Sequence, residues 1–198
     1  MASKPIKGLE NLKLVRDDVA GLKAAMSMLS AKEILVGFPE ETTARDDEDS
    51  NPDITNAGLG YTHDNGMPEE NIPARPFMLP GMENAIPQAT QALANTAKQV
   101  LTKRSAQQVE MGLTRVGLAV QFALRSKINE GIPPPLSERT LRERASRGVK
   151  GRKGASKELQ RRLAGEQPST QFAKPLIDTG QLRNAINYVI RDRKNRSA

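Results

Sequence analysis

The sequence predicts long α-helices with a small amount of β-structure. Three observations carry that expectation. Apolar residues return at helical spacing in three separate stretches, two short runs are rich in β-branched residues, and proline or glycine punctuates the boundaries between them.

Leu12, Val15, Val19, Leu22, Met26 and Leu29 recur at spacings of 3, 4, 3, 4 and 3, the apolar stripe of an amphipathic helix. The stripe is short for a coiled-coil seam, so packing on a sheet is expected. Residues 33–38 then read as a strand that Pro39 stops. Residues 40–53 carry seven acids and one arginine without apolar periodicity, a solvated acidic loop. The Asp/Asn spacing, glycine and bidentate glutamate of an EF-hand are missing there, so no metal is expected, nor any cofactor.

Residues 56–64 fit a short helix ended by Asn65 and Gly66. His63 is the sole histidine, and Asp64 beside it invites the idea of a catalytic base. With no cysteine and no serine in a nucleophile elbow, a packed or surface-bonded histidine is the expected reading. Pro73 and Pro76 hold residues 72–78 extended but deny them a full ladder, which suits an edge strand or a strap laid over a neighbour.

Met82, Ile86, Ala89, Leu93, Ala97 and Val100 form a second stripe, expected to kink or restart at Pro87. Val109, Leu113, Val116, Val120, Leu124 and Ile128 form the third and most regular one, the expected central helix. Gly131 closes it and Pro133, Pro134 and Pro135 prevent resumption. Ser137 is placed to cap the next helix with Leu136 and Leu141 as its hydrophobic staple. A helical piece is expected near residues 157–163. In residues 174–190, Asp178 and Gln181 have capping-box spacing for a helix opening at Thr179, flanked by Ile177 and Leu182. Asn187 then interrupts, and Tyr188, Val189 and Ile190 read as a β-rich exit.

Composition sets the limits on function. The absence of cysteine excludes disulfides and thiolate metal sites and fits folding in a reducing cytoplasm. No signal-peptide core and no membrane-length apolar run is present, so a soluble, non-exported protein is expected. Aromatics are only 3%, so the core must rest on aliphatic side chains, and part of the chain is expected to find its order in a partner. Residues 1–102 hold 9 Lys/Arg and 15 Asp/Glu, whereas residues 103–198 hold 21 and 8. Such polarity fits a polyanion partner, or subunits that meet acidic face to basic face.

In their order along the chain, the Tyr61-x-His63-x-x-Gly66 helix end, the 72–78 strap, a long helix, residues 134–144 and residues 174–186 together resemble a known family. It is the bacteriophage virion-morphogenesis family, the tail-completion and minor-tail proteins of the head–tail neck. The resemblance covers residues 56–82, 105–145 and 174–190. The family's recurring positions correspond to Tyr61, His63, Gly66, Pro73, Arg75, Pro76 and Phe77, then Pro135, Leu136 and Leu141. They end with Leu176, Asp178, Thr179, Gly180 and Leu182. The resemblance implies that these are structural and subunit-contact residues, with no catalytic set.

It further implies one α+β domain over residues 1–198, a small antiparallel or mixed sheet packed with long helices. Two segments of this chain depart from the family's pattern and extend from that domain, an acidic loop at 40–53 and a basic, glycine-containing arm at 146–171. Subunits would form a ring, commonly hexameric, around genomic DNA in the channel, contacting other neck, tail-terminator or tail-tube proteins. The protein would be made in the host cytoplasm and end in the virion, with no membrane partner.

A second reading is a DNA-binding protein using the basic residues 139–162, which carry ten Lys/Arg against two acids. That region lacks aromatic residues for stacking, and no zinc-finger, RNA-recognition or helix-turn-helix pattern is recognisable. DNA must also slide through a neck, which disfavours a densely basic lumen. We therefore expect Arg142, Arg144, Arg147, Lys150, Arg152, Lys153, Arg161 and Arg162 to form an electrostatic arm. Its target would be the acidic loop of an adjacent subunit or an acidic surface on the next ring. Reversing charge at Arg142, Arg144, Arg152 and Lys153 is expected to block assembly and leave the monomer folded. An enzyme is not expected, because no phosphate loop or paired carboxylates accompany the lone histidine.

Overall fold

A computed structural model describes residues 19–39, 54–103, 105–147 and 152–193, without the side chains of Leu22, Lys103 and Arg152. The chain is mostly helical, with one two-stranded antiparallel sheet among the described residues, broadly α+β. The acidic loop 40–53, Leu12, Val15 and Lys150 lie outside the described residues.

The centre is a hairpin of α3 (Met78–Lys103) and α4 (Ala106–Asn129). Along α4 the expected stripe is the buried one: Val109, Leu113, Val116, Leu124 and Ile128 all lie in the interior. The helices approach closely because small residues stand where they meet. A Cβ on Gly112 would lie 2.1 Å from the Thr96 side chain of α3; on another side of α4, one on Gly117 would lie 2.4 Å from the ring of Tyr188, near the end of the chain.

The strands β1 (Lys32–Gly37) and β2 (Asn187–Asp192) pair antiparallel from Lys32 opposite Asp192 to Gly37 opposite Asn187. A two-stranded ribbon is marginal alone. Here Ile34 and Ile190 pack on a cluster of Ala25, Val100, Val109 and Leu113, which ties α1 (Val19–Ser30) to the hairpin. The other ribbon face carries the Glu33–Arg191 ion pair and the more exposed Leu35 and Val189.

Helix α2 (Asn56–Asn65) ends at Gly66, whose φ of 81° suits a residue without a Cβ. The 72–77 segment is a strap and not a strand; only Ile72 makes an isolated bridge, to Met67. Phe77 at its end is fully buried with Leu124, Ile128, Ile132, Leu176, Leu182 and Ile186, the main core. Helix α5 (Glu138–Ser146) is capped as expected by Ser137, whose Oγ accepts from Thr140 N at 3.2 Å. With α6 (Arg152–Leu163) it encloses a smaller core of Leu136, Leu141, Ala155 and Ala173. The short α7 (Gln181–Ala185) leads directly into β2.

Four expectations are corrected. Helix α3 does not restart at Pro87 but continues through it, at an exposed position where solvent can satisfy the freed Glu83 carbonyl. The first part of its stripe points outward: Met82, Ile86 and Leu93 are exposed, while Gly81, Ala85 and Thr96 take the core side and Val100, at the far end of the stripe, is buried as expected. On α1, Val19 and Met26 are likewise exposed, whereas Ala25 is buried and Leu29 packs against the same cluster. The glycine-containing arm is α6 over much of its length, with Gly154 packed so tightly that a Cβ would lie 2.2 Å from Phe172 O.

Candidate assembly surface

Most of the family-motif positions converge on one junction between α2, the strap, α5 and residues 174–182. Its fabric is irregular, proline-rich backbone, which has no ladder of its own to satisfy its carbonyls. Arginine side chains do that instead. Arg75 donates through Nε and Nη2 to Pro134 O at 3.1 and 2.9 Å. Arg144 donates through Nη1 to Lys174 O and Ile177 O at 3.0 and 2.8 Å, and through Nη2 to Pro175 O at 2.7 Å. Arg125, on α4, reaches Asn184 O and Ile186 O at 3.0 and 2.7 Å. The planar guanidinium is suited to bridging neighbouring carbonyls in this way.

All three guanidinium pKa values lie below the ordinary arginine value, chiefly through desolvation. The nearby Arg144 adds to this at Arg75 and Arg183 adds at Arg125; at Arg144, Asp178 partly offsets the burial. Arg144 and Arg147 flank Asp178 at 3.7 and 3.5 Å. Asp178 is therefore not the expected N-cap of the last helix. Gly180 takes that position, and Thr179 Oγ1 instead accepts from Gln181 N at 3.3 Å.

The remaining motif residues fall into two groups. Phe77, Leu136, Leu141, Leu176 and Leu182 are core, and Pro135 and Gly180 stand beside them. Tyr61 is 73% exposed, and Pro73 and Pro76 also face outward. His63 is half-buried, and its carbonyl accepts from Arg75 N at 2.7 Å. Its neighbour Asp64 has a role that sequence reasoning missed: Oδ1 accepts from Phe77 N and Met78 N at 2.7 and 2.9 Å, capping α3 from another element. Nothing local signals that contact, since thirteen residues separate Asp64 from Phe77.

The electrostatic arm is largely self-satisfied. Arg142 pairs with Glu138, Arg147 with Asp178, and Arg161 and Arg162 with Glu158. Glu158 is fully buried, and also accepts from Ser169 N at 2.8 Å. Burial opposes its charge, but the Ser169 amide, Arg162 and Arg161 outweigh it and hold the carboxyl below its ordinary value. Lys153 is exposed. Because Arg144 is buried and bracing three carbonyls, reversing its charge would unfold this junction, contrary to the expectation of an intact monomer.

Among the described residues, the outer faces of the hairpin expose several large apolar side chains. Leu79, Met82, Ile86 and Leu93 line one side of α3; Leu118 and Phe122 project from α4, Phe122 being 70% exposed. Beside Leu118 and Phe122 a groove of about 520 Å³ opens between the helices. Among the described residues no group of three or more His, Asp or Glu is placed to hold a metal, and no helix is long and apolar enough to cross a membrane. The chain matches no protein-family model, no curated protein and no solved structure.

Proposed function

We propose that this chain is a structural subunit of a bacteriophage head–tail neck, a tail-completion or connector protein that forms a ring around the DNA channel and joins tail to head. The observation that carries the reading is the apolar exposure on both helices of a braced hairpin. A chain with 3% aromatic residues leaves Phe122 and Tyr61 among its most exposed large side chains. Faces of that kind mark association surfaces. The order of motifs along the chain adds the neck as the setting, and the arginine-braced junction supplies a rigid body on which such faces can be held. The work assigned to the protein is mechanical, with no catalytic step and no cofactor. Its partners in this reading are further copies of itself, other neck, tail-terminator or tail-tube proteins, and the genomic DNA that passes through.

The alternative, DNA binding through residues 139–162, has weaker support because Arg144, Arg161 and Arg162 hold internal partners. Electron microscopy of an infected-cell lysate lacking the protein tests the proposal. DNA-filled heads beside separate, complete tails are expected. Tails of uncontrolled length would make it a terminator, and normal virions would refute the neck role.

A further inference from the structure

The two exposed apolar faces are not the same surface. On α3, Gln88 stands two residues from Ile86 and Gln91 two from Leu93, a separation of about 200° round the helix axis. Gln88 and Gln91 line the groove with Ala92, Leu118, Ala119 and Phe122, whereas Ile86 and Leu93 belong to the outward row with Met82. The hairpin therefore has a protruding apolar row on one side and, on another, a groove in which Ala92, Leu118, Ala119 and Phe122 are bordered by Gln88, Gln91, Asn95 and Arg115.

Charge follows the same division. Glu83 sits one turn from Leu79 and Ile86, at the border of the row, and Arg115 lines the groove. Both are exposed, and neither makes an ion pair among the described residues. One face thus brings an unpaired acid and the other an unpaired base.

We propose that a second copy of this chain is the occupant: the Met82–Ile86–Leu93 row of one subunit seats in the α3/α4 groove of the next, with Glu83 opposite Arg115. The contact rests on the assembly reading above and specifies how it is made. Because row and groove are different surfaces, the contact is heterologous; it propagates from copy to copy, and gives a ring where the rotation between copies closes and an open filament where it does not. A self-complementary two-fold contact would instead place the row against itself.

The chain has no cysteine, so introduced thiols are the sole thiols in it. Ile86→Cys and Leu118→Cys are made separately, and a short bis-maleimide is applied to each and to their mixture. Cross-linked dimer is expected in the mixture and absent from either variant alone; the double variant is expected to give a ladder. Glu83→Arg should remove the mixed cross-link, and Arg115→Glu in the other subunit should restore it, a rescue that misfolding cannot produce. Dimer from Ile86→Cys alone would overturn the inference in favour of a two-fold contact. An oligomer by light scattering without the mixed cross-link would overturn it while leaving the assembly reading standing. A strictly monomeric chain, together with normal virions formed without it, would overturn both.

Discussion

Replacing Arg144 with methionine tests the claim that arginine forks hold the irregular backbone in place. The side chain is mostly removed from solvent and donates to three carbonyls, those of Lys174, Pro175 and Ile177, at 2.7 to 3.0 Å. Hydrogen bonds from a charged donor contribute about 1.5–3 kcal/mol each. Simple addition overstates the loss, because the strap can relax and admit water. Breaking a buried charged arrangement by removing one partner costs about 3–5 kcal/mol, the magnitude expected here. Asp178 would keep only Arg147, at 3.5 Å. Against a total stability of about 5–15 kcal/mol, the urea midpoint should fall by about 2 M for a slope near 2 kcal/mol/M. Far-UV circular dichroism reads the midpoint, and amide exchange over residues 174–180 should rise first. Arg144→Lys keeps the charge without the fork and should recover only part of the loss. A shift under about 1 kcal/mol for methionine, or full recovery by lysine, would refute the bracing argument.

Three further perturbations probe the fold. Glu158 titrates below its ordinary value in the folded chain, so its stabilisation is fully present above the unfolded pKa of about 4.3 and disappears as pH falls through the folded value. Acid unfolding of the wild type should therefore steepen below that pH, and Glu158→Gln should flatten the dependence; identical pH profiles would contradict this. Gly117→Ala places a Cβ against the Tyr188 ring and should cost about 1–3 kcal/mol by urea titration, whereas an unchanged midpoint would mean that β2 moves freely off α4. Asp64→Ala removes the cap from Phe77 N and Met78 N and should lower stability by about 1 kcal/mol, with Asp64→Asn recovering part of it.

Local chemistry made several elements readable in advance. The α4 stripe is buried because one face of that helix meets core along its length, from Val109 to Ile128. Ser137 and Gly66 act within a few residues of themselves, so their caps survive whatever the rest of the chain does. The same reasoning failed on the first part of α3, though not at Val100, because periodicity identifies an apolar face without identifying its neighbour. Close approach to α4 selected small residues for the inner side, where a Cβ on Gly81 would already lie 2.9 Å from Leu124, and the larger Met82, Ile86 and Leu93 were turned outward.

Sequence by itself therefore determined that these helices and the two strands exist, and fixed those ends that are capped locally, at Gly66 and Ser137, since backbone preference and capping operate over one or two turns. Tertiary structure alone decided which charges are internal. Arg144 reads as part of a solvated basic arm until residues 174–177, thirty positions onward, bring carbonyls to it. Glu33 and Arg191 likewise become a pair only when strands 158 residues apart in sequence are joined. A charge's role depends on the dielectric and partners around it, and those come from distant chain.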